Sequence, residues 1–201
     1  MKKFPHNVVW WAQNPGELVR RIAGKVYRRI HPHEPWISLD AIKYCQKELP
    51  ASTIAIEWGS GRSTVWFAKI LKRITSVEDN KEWHGYVKNR LNELDLKNVD
   101  YRFVPLNHPI TEPTKVKYDK VPDYVAVAND FENESIDFII VDGHYRQACI
   151  QAGMPKLKKG GLLLVDNSNW MPRAEWGVPQ NWPVVHCSRG FDGETTIWRK
   201  P

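Results

Sequence analysis

The sequence predicts an α/β domain built on a doubly wound, mostly parallel sheet with helices on both faces, and three observations carry that expectation. The stretch Ile54-Ala-Ile-Glu-Trp-Gly-Ser-Gly-Arg-Ser-Thr64 is an apolar strand pattern that ends in an acid and passes through a glycine-rich turn into a helix. Two later runs, Ser135 to Asp142 and Leu162 to Asn167, carry the apolar stretches Phe138–Val141 and Leu162–Val165, each of which leads into an aspartate. Parallel strands buried on both faces have that composition. Helical patterns separate these strands, the alternation expected of a layered α/β fold, and 201 residues suit one domain with a sizeable core.

From the amino terminus, Glu17 to Ile30 has helical periodicity, with Leu18, Ile22, Val26 and Ile30 on one stripe and Arg20, Arg21, Lys25, Arg28 and Arg29 off it. The expected use of the stripe is packing on the domain with a solvated basic face; contact with an anionic membrane surface is the other use of such a helix. Pro32 and Pro35 separate this arm, residues 1–35, from a domain spanning 36–201. Ser38 can cap a helix over Leu39–Leu49 that Pro50 stops. Before it, Trp36 and Ile37 are expected in the core or near a ligand. After the glycine turn, a helix runs on from Val65 to Leu71, and Ile74 to Glu78 is a second strand followed by a helix over Lys81–Leu94 and a third strand over Val99–Pro105. Pro109 to Glu134, polar and proline-punctuated, is expected to be an elaborated loop with a short helix within Tyr118–Phe131. A helix over Gln147–Leu157 joins the two apolar strands. Pro183 to Cys187 and Thr195 to Arg199 flank Arg189-Gly-Phe-Asp-Gly193, a terminal hairpin signal, and Trp170, Trp176 and Trp182 before it are expected mainly to pack.

The net charge of +6 is compatible with several anionic partners and selects none. Cys45, Cys149 and Cys187 are odd in number and widely spaced, which predicts reduced thiols rather than a disulfide framework or a zinc site. The start Met-Lys-Lys-Phe-Pro-His lacks a signal peptide's apolar core, so the expectation is a soluble, cytoplasmic protein.

The glycine turn defines the chemistry. Gly59 and Gly61 allow a tight bend and close approach to a ligand, while Ser63 and Thr64 open the helix behind them. A dinucleotide loop wants a third glycine where Thr64 stands, and would set a pyrophosphate against Glu57. S-adenosylmethionine has no phosphate, and its ammonium and sulfonium suit an acid at the strand end. Glu78, about twenty residues on, can accept hydrogen bonds from both ribose hydroxyls, with Asp79 beside it.

On this Glu-x-Gly-x-Gly-x-Ser/Thr turn and second-strand acid, Trp36–Pro201 resembles the class I S-adenosylmethionine-dependent methyltransferases. The resemblance implies their seven-stranded, Rossmann-like sheet with a terminal antiparallel hairpin. It also implies that Glu57, Gly59, Ser60 and Gly61 line the methionine end, that Glu78 binds the ribose, and that the end of the third strand, Leu106 to His108, receives the adenine.

Asp142 lies at the carboxyl edge where open sheets bind ligands, and Asp166 and Asn167 follow the neighbouring strand. This half resembles the metal-dependent O-methyltransferases of the catechol and caffeoyl-coenzyme A type. That likeness implies a magnesium-like ion on Asp142, Asp166 and Asn167 that would activate an acceptor hydroxyl. Two departures stand out: the Glu-Trp-Gly-Ser-Gly-Arg-Ser-Thr form of the loop, and Tyr145 where the catechol enzymes carry a lysine base. His144 is then the candidate general base, or a turn residue held by hydrogen bonds, and Asp142 without a metal is a direct contact to cofactor or acceptor. No Asn/Asp-Pro-Pro-aromatic motif follows the fourth strand, which argues against methylation of a flipped base and for the hydroxyl of a small molecule. The rival expectations are an aminopropyltransferase-like nucleoside-using enzyme and a non-catalytic module that binds through its basic arm.

Overall fold

The computed structural model describes residues 13–108, 120–191 and 193–201. Its sheet has seven strands: β1 (Ile54–Trp58), β2 (Arg73–Glu78), β3 (Val99–Phe103), β4 (Ile136–Val141), β5 (Leu157–Val165), β6 (Val184–Arg189) and β7 (Glu194–Arg199). Their order is β3-β2-β1-β4-β5-β7-β6, parallel from β3 to β5, with β7 antiparallel to both β5 and β6. The chain leaves β1 outward through β2 and β3, then returns to lay β4 on the other side of β1. The carboxyl ends of β1 and β4 therefore flank the crevice where open sheets take ligands.

Strand alternation sorts the core into two layers. Ile56, Trp58, Ile139, Val141, Leu163 and Val165 pack on one face with Tyr124, Tyr145, Ile150 and Trp176. Ala55, Phe138, Ile140, Leu162 and Leu164 pack on the other with Ile42, Cys45 and Phe67. Helices α2 (Leu39–Glu48), α3 (Arg62–Ala68), α4 (Lys81–Glu93), α5 (Asp123–Ala126) and α6 (Arg146–Gly153) cover the two faces, and α1 (Pro15–Ile30) precedes them in the chain. Ser38 caps α2 by accepting from Ala41 N at 3.2 Å, and Asn80 caps α4 by accepting from Trp83 N at 2.9 Å. Cys45, Cys149 and Cys187 are all free thiols, and no helix among the described residues is long and apolar enough to cross a membrane.

Several expected elements are trimmed or reassigned. The helix after the glycine turn ends at Ala68, because Asn98 binds the freed carbonyls of Ala68 and Leu71 through its Nδ2 at 2.7 and 2.8 Å. The helix before β5 starts a residue early at Arg146 and gives way at Met154 to a short 3₁₀ turn, so Leu157 to Gly161 join β5. The loop helix is α5 with a 3₁₀ turn over Val127–Asp130; residues 109–119, Tyr118 among them, lie outside the described residues. Ile37 is buried and Trp36 is half exposed beneath the guanidinium of Arg62, 5.2 Å from its ring centroid. Trp176 and Trp182 join the core.

The largest correction concerns α1. Its stripe does not pack on the domain: Leu18, Ile22, Val26 and Ile30 are 40%, 53%, 52% and 68% exposed, with Val19 beside them at 65%. The side turned inward is the one holding Gly24, against which Phe191 sits so closely that a Cβ there would fall 2.6 Å from its Cβ.

The crevice depends on two glycines meeting backbone to backbone. Asp142 N and Gly143 N both donate to Trp58 O, at 2.9 and 2.8 Å. A Cβ on Gly59, whose φ is +94°, would lie 2.4 Å from Gly143 N. Gly59→Ala should therefore cost about 3 kcal/mol in urea unfolding, from left-handed strain plus a backbone clash. Gly85→Ala, inside α4 with open space around it, should instead stabilise by up to about 1 kcal/mol. Equal effects of the two would contradict the packing described.

Candidate functional site

At the carboxyl end of β1 the glycine turn is held from beneath. The Glu57 side chain is fully buried, and its Oε2 accepts from Thr64 Oγ1 at 2.5 Å and Ser76 Oγ at 2.6 Å. Thr64 Oγ1 in turn accepts from Gly61 N at 2.9 Å. A single carboxyl oxygen thus ties β1, β2 and the start of α3 to the turn. Burial pushes the Glu57 carboxyl up to about 7, partly offset by hydrogen bonds from Ser63, Ser76 and Thr64. Near neutral pH much of it is uncharged, so Glu57 serves at this edge as a hydrogen-bonding anchor of the turn.

Glu78, at the end of β2 and 5% exposed, grips the turn from the side. Its Oε2 accepts from Ser60 N at 3.1 Å and Ser60 Oγ at 2.7 Å; its Oε1 accepts from Asp79 N at 3.2 Å and Asn80 N at 2.9 Å. Ser60 Oγ has a second partner in Tyr101 OH, 2.7 Å away, so this hydroxyl keeps a hydrogen-bond partner if it turns from Glu78. Trp83 Nε1 donates to Ser60 O at 2.9 Å and walls the open space beside Gly61, where a Cβ would meet only the indole, at 3.8 Å.

Across the crevice, Asp79 Oδ2 lies 3.8 Å from His144 Nε2, joining the ends of β2 and β4. Burial raises the Asp79 carboxyl and the facing imidazole lowers it. Leu106 is partly buried against the core on this side. The sequence-predicted residues Glu57, Gly59, Ser60, Gly61, Ser63, Thr64, Glu78, Asp79, Asp142 and His144 are therefore brought to one sheet edge, with Glu57, Ser63 and Thr64 beneath the loop.

Asp142, Asp166 and Asn167 also converge, but on an arginine rather than as an open set of metal ligands. Arg146, at the start of α6 and almost wholly buried, points its guanidinium among them. Its Nη2 donates to Asp142 O at 2.5 Å, Asp142 Oδ1 at 3.0 Å and Asn167 Oδ1 at 3.5 Å. Its Nε donates to Gly143 O at 2.9 Å, and Nη1 to Asp166 O. The two carboxylate oxygens of Asp166 are taken by Thr195 Oγ1 at 2.6 Å and Asn167 Nδ2 at 2.8 Å. The arrangement does not support the expected magnesium-like ion: both Asp166 carboxylate oxygens and one of Asp142 are engaged, and a fixed cation stands among the three side chains. No group of three or more histidine, cysteine, aspartate or glutamate side chains is placed to hold a metal ion among the described residues. The exposed face of the guanidinium is covered by the Trp170 ring, 4.2 Å from its centroid.

Arg146, Trp83, Tyr101 and Thr195 were not singled out from sequence. Arg146 lies four residues after Asp142 and pairs with it at 3.0 Å across the turn from β4 to α6. Tyr145 precedes it in a left-handed conformation, φ 50°, and points into the core with its hydroxyl donating to His108 O at 3.0 Å.

Residues 56–168, more than half of the chain, match the family model described as "Methyltransferase domain". No curated protein matches the chain. Similar solved structures include an rRNA methylase from Streptococcus thermophilus, with 12% identity and TM-score 0.58, covering 80% of this chain and 94% of that one. A putative methyltransferase from Streptococcus mutans, in complex with S-adenosylhomocysteine, has 13% identity and TM-score 0.57 over 80% of this chain and 96% of that one. A methyltransferase from Geobacter sulfurreducens has 11% identity and TM-score 0.57 over 90% and 88%. At these identities the likeness is one of fold.

The buried acids predict a pH dependence. Glu57 and Asp166 are both pushed up to about 7, chiefly by burial, whereas in the unfolded chain they would titrate near 4. The native state then binds more protons than the unfolded state between about pH 4 and 7. Stability is full below that window, falls as pH rises through it and levels off above. Glu57→Gln should make the fall shallower, read as the slope of urea-unfolding free energy against pH; an unchanged slope would mean that Glu57 is ionised throughout.

Proposed function

We infer, for a chain that belongs to the methyltransferase-domain family, that it uses S-adenosylmethionine to methylate a hydroxyl oxygen of a small molecule. Residues 36–201 are read as the cofactor-binding domain and 1–35 as an arm. The observation that carries the cofactor assignment is Glu78, a nearly buried carboxylate at the end of β2 whose Ser60 contact can be exchanged through Tyr101. When bound, the cofactor supplies a methyl group on a positively charged sulfur.

The residues present fit that group. Glu78 can accept from both ribose hydroxyls once Ser60 Oγ turns to Tyr101. The space beside Gly61, walled by Trp83, admits a ligand against the backbone, and Leu106 lies at the adenine side. Asp79 and Asp142 give a cationic ligand a negative setting at the crevice.

Chemistry at the acceptor falls to the protein's own side chains. His144 sits at the edge beside Asp142 with its Nε2 toward Asp79, placed to take the hydroxyl proton while the Asp79 carboxylate stabilises the imidazolium that results. Arg146 holds Asp142, Gly143, Asp166 and Asn167 in fixed relation, so the wall facing the acceptor is preorganised. No step needs a covalent intermediate with the enzyme.

Calorimetry should show S-adenosylhomocysteine binding that Glu78→Ala weakens by roughly 1.5–3 kcal/mol. With a panel of hydroxylated small molecules, product formation should survive EDTA and be lost in His144→Ala, which should still bind S-adenosylhomocysteine. Transfer to nitrogen or carbon alone would overturn the oxygen assignment, and unimpaired turnover by His144→Ala would overturn the base.

A further inference from the structure

The exposed stripe of α1 has no role in the site described above. Leu18, Val19, Ile22, Val26 and Ile30 are 40% to 68% exposed, and all but Leu18 line, with Ala23, Tyr27 and Phe191, an open apolar groove along the helix. A surface helix ordinarily turns its apolar side inward. Here the inward row is held by other means: Gly24 lies against Phe191, the Tyr27 and Phe191 rings are 5.5 Å apart, and Arg62 Nη1 donates to Arg28 O at 3.1 Å. The helix is thus fixed to the domain by its polar and small-residue side and displays its apolar side.

We propose that α1 docks this protein on an anionic lipid bilayer, with the stripe Val19, Ile22, Val26 and Ile30 entering the headgroup boundary. Charge favours that occupant over a second copy. The helix holds five basic residues, Arg20, Arg21, Lys25, Arg28 and Arg29, against the single acid Glu17, and the whole chain carries +6. Lys25 and Arg29, both exposed, each follow the stripe residues Ile22 and Val26 by three positions and so border the apolar face. Pairing two such faces would bring like charges together, whereas anionic headgroups neutralise them. The sequence ahead of the helix has the same composition, with Lys2 and Lys3 followed by Val8, Val9, Trp10 and Trp11. Because Arg62 directly follows Gly61 and binds the last turn of α1, docking sets the glycine turn one side chain away from the lipid-bound helix.

Pelleting of the full chain with vesicles tests this. The protein should sediment with phosphatidylcholine vesicles containing phosphatidylglycerol, much less with phosphatidylcholine alone, and less as sodium chloride is raised. Ile22→Glu with Val26→Glu should lower partitioning by at least about tenfold, and Lys25→Glu with Arg29→Glu by a similar factor. Both pairs are exposed, so the circular dichroism spectrum and unfolding midpoint should stay unchanged, as should S-adenosylhomocysteine binding. Failure to sediment with the anionic vesicles overturns the proposal, as does equal sedimentation of Ile22→Glu with Val26→Glu. So does light scattering that shows a wild-type dimer, made monomeric by those substitutions, with no affinity for either vesicle.

Discussion

One carboxyl group, buried where three elements meet, sets the geometry on which the crevice depends. Glu57 Oε2 receives the hydroxyls of Thr64 and Ser76, and Thr64 relays the constraint to Gly61 N. A buried carboxyl without partners would be costly; this one is relieved by hydrogen bonds and by a raised affinity for its proton. Position and charge are therefore divided between two acids. Glu57 holds the glycine turn from below, and Glu78 faces the crevice from the side. The close approach of Gly59 to Gly143 then locks the turn against the end of β4, which brings Asp142 and His144 opposite Glu78 and Asp79.

Arg146 plays the equivalent part on the other flank. A guanidinium that donates to the carbonyls of Asp142, Gly143 and Asp166 joins the ends of β4 and β5, and Thr195 ties Asp166 to β7. Such a cation differs from a bound metal ion in one decisive respect: it is part of the chain and offers no exchangeable position to a substrate oxygen. The same oxygens that resemble a ligand set in sequence therefore act here as acceptors for a fixed donor. In the proposed oxygen methylation the released proton would pass to His144, whose Nε2 lies 3.8 Å from Asp79 Oδ2.

The parallel sheet was legible because its signals are local and strong. Ile136 to Val141 and Leu162 to Val165 are apolar at every position or nearly so, and each is buried on both faces. Glycine turns and strand-end acids likewise announce a site wherever the chain runs. What sequence did not reveal was direction. Glu57 and Glu78 are both strand-end glutamates, and only the packing of Thr64 and Ser76 turns the first one inward. The spacing of Arg146 from Asp142 was legible, but its burial among Asp142, Asp166 and Asn167 depended on β5 lying beside β4. The stripe of α1 was visible as a period, but which side met the domain depended on Gly24 and Phe191, separated by most of the chain.

The most direct test of this division of labour is a crystal structure with S-adenosylhomocysteine bound. The account predicts the ribose hydroxyls on the Glu78 carboxylate, Ser60 Oγ turned to Tyr101, and Glu57 still joined to Thr64 and Ser76 beneath the turn. A complex in which Glu57 swings out to hold the ligand while Glu78 keeps both of its bonds to Ser60 would contradict it.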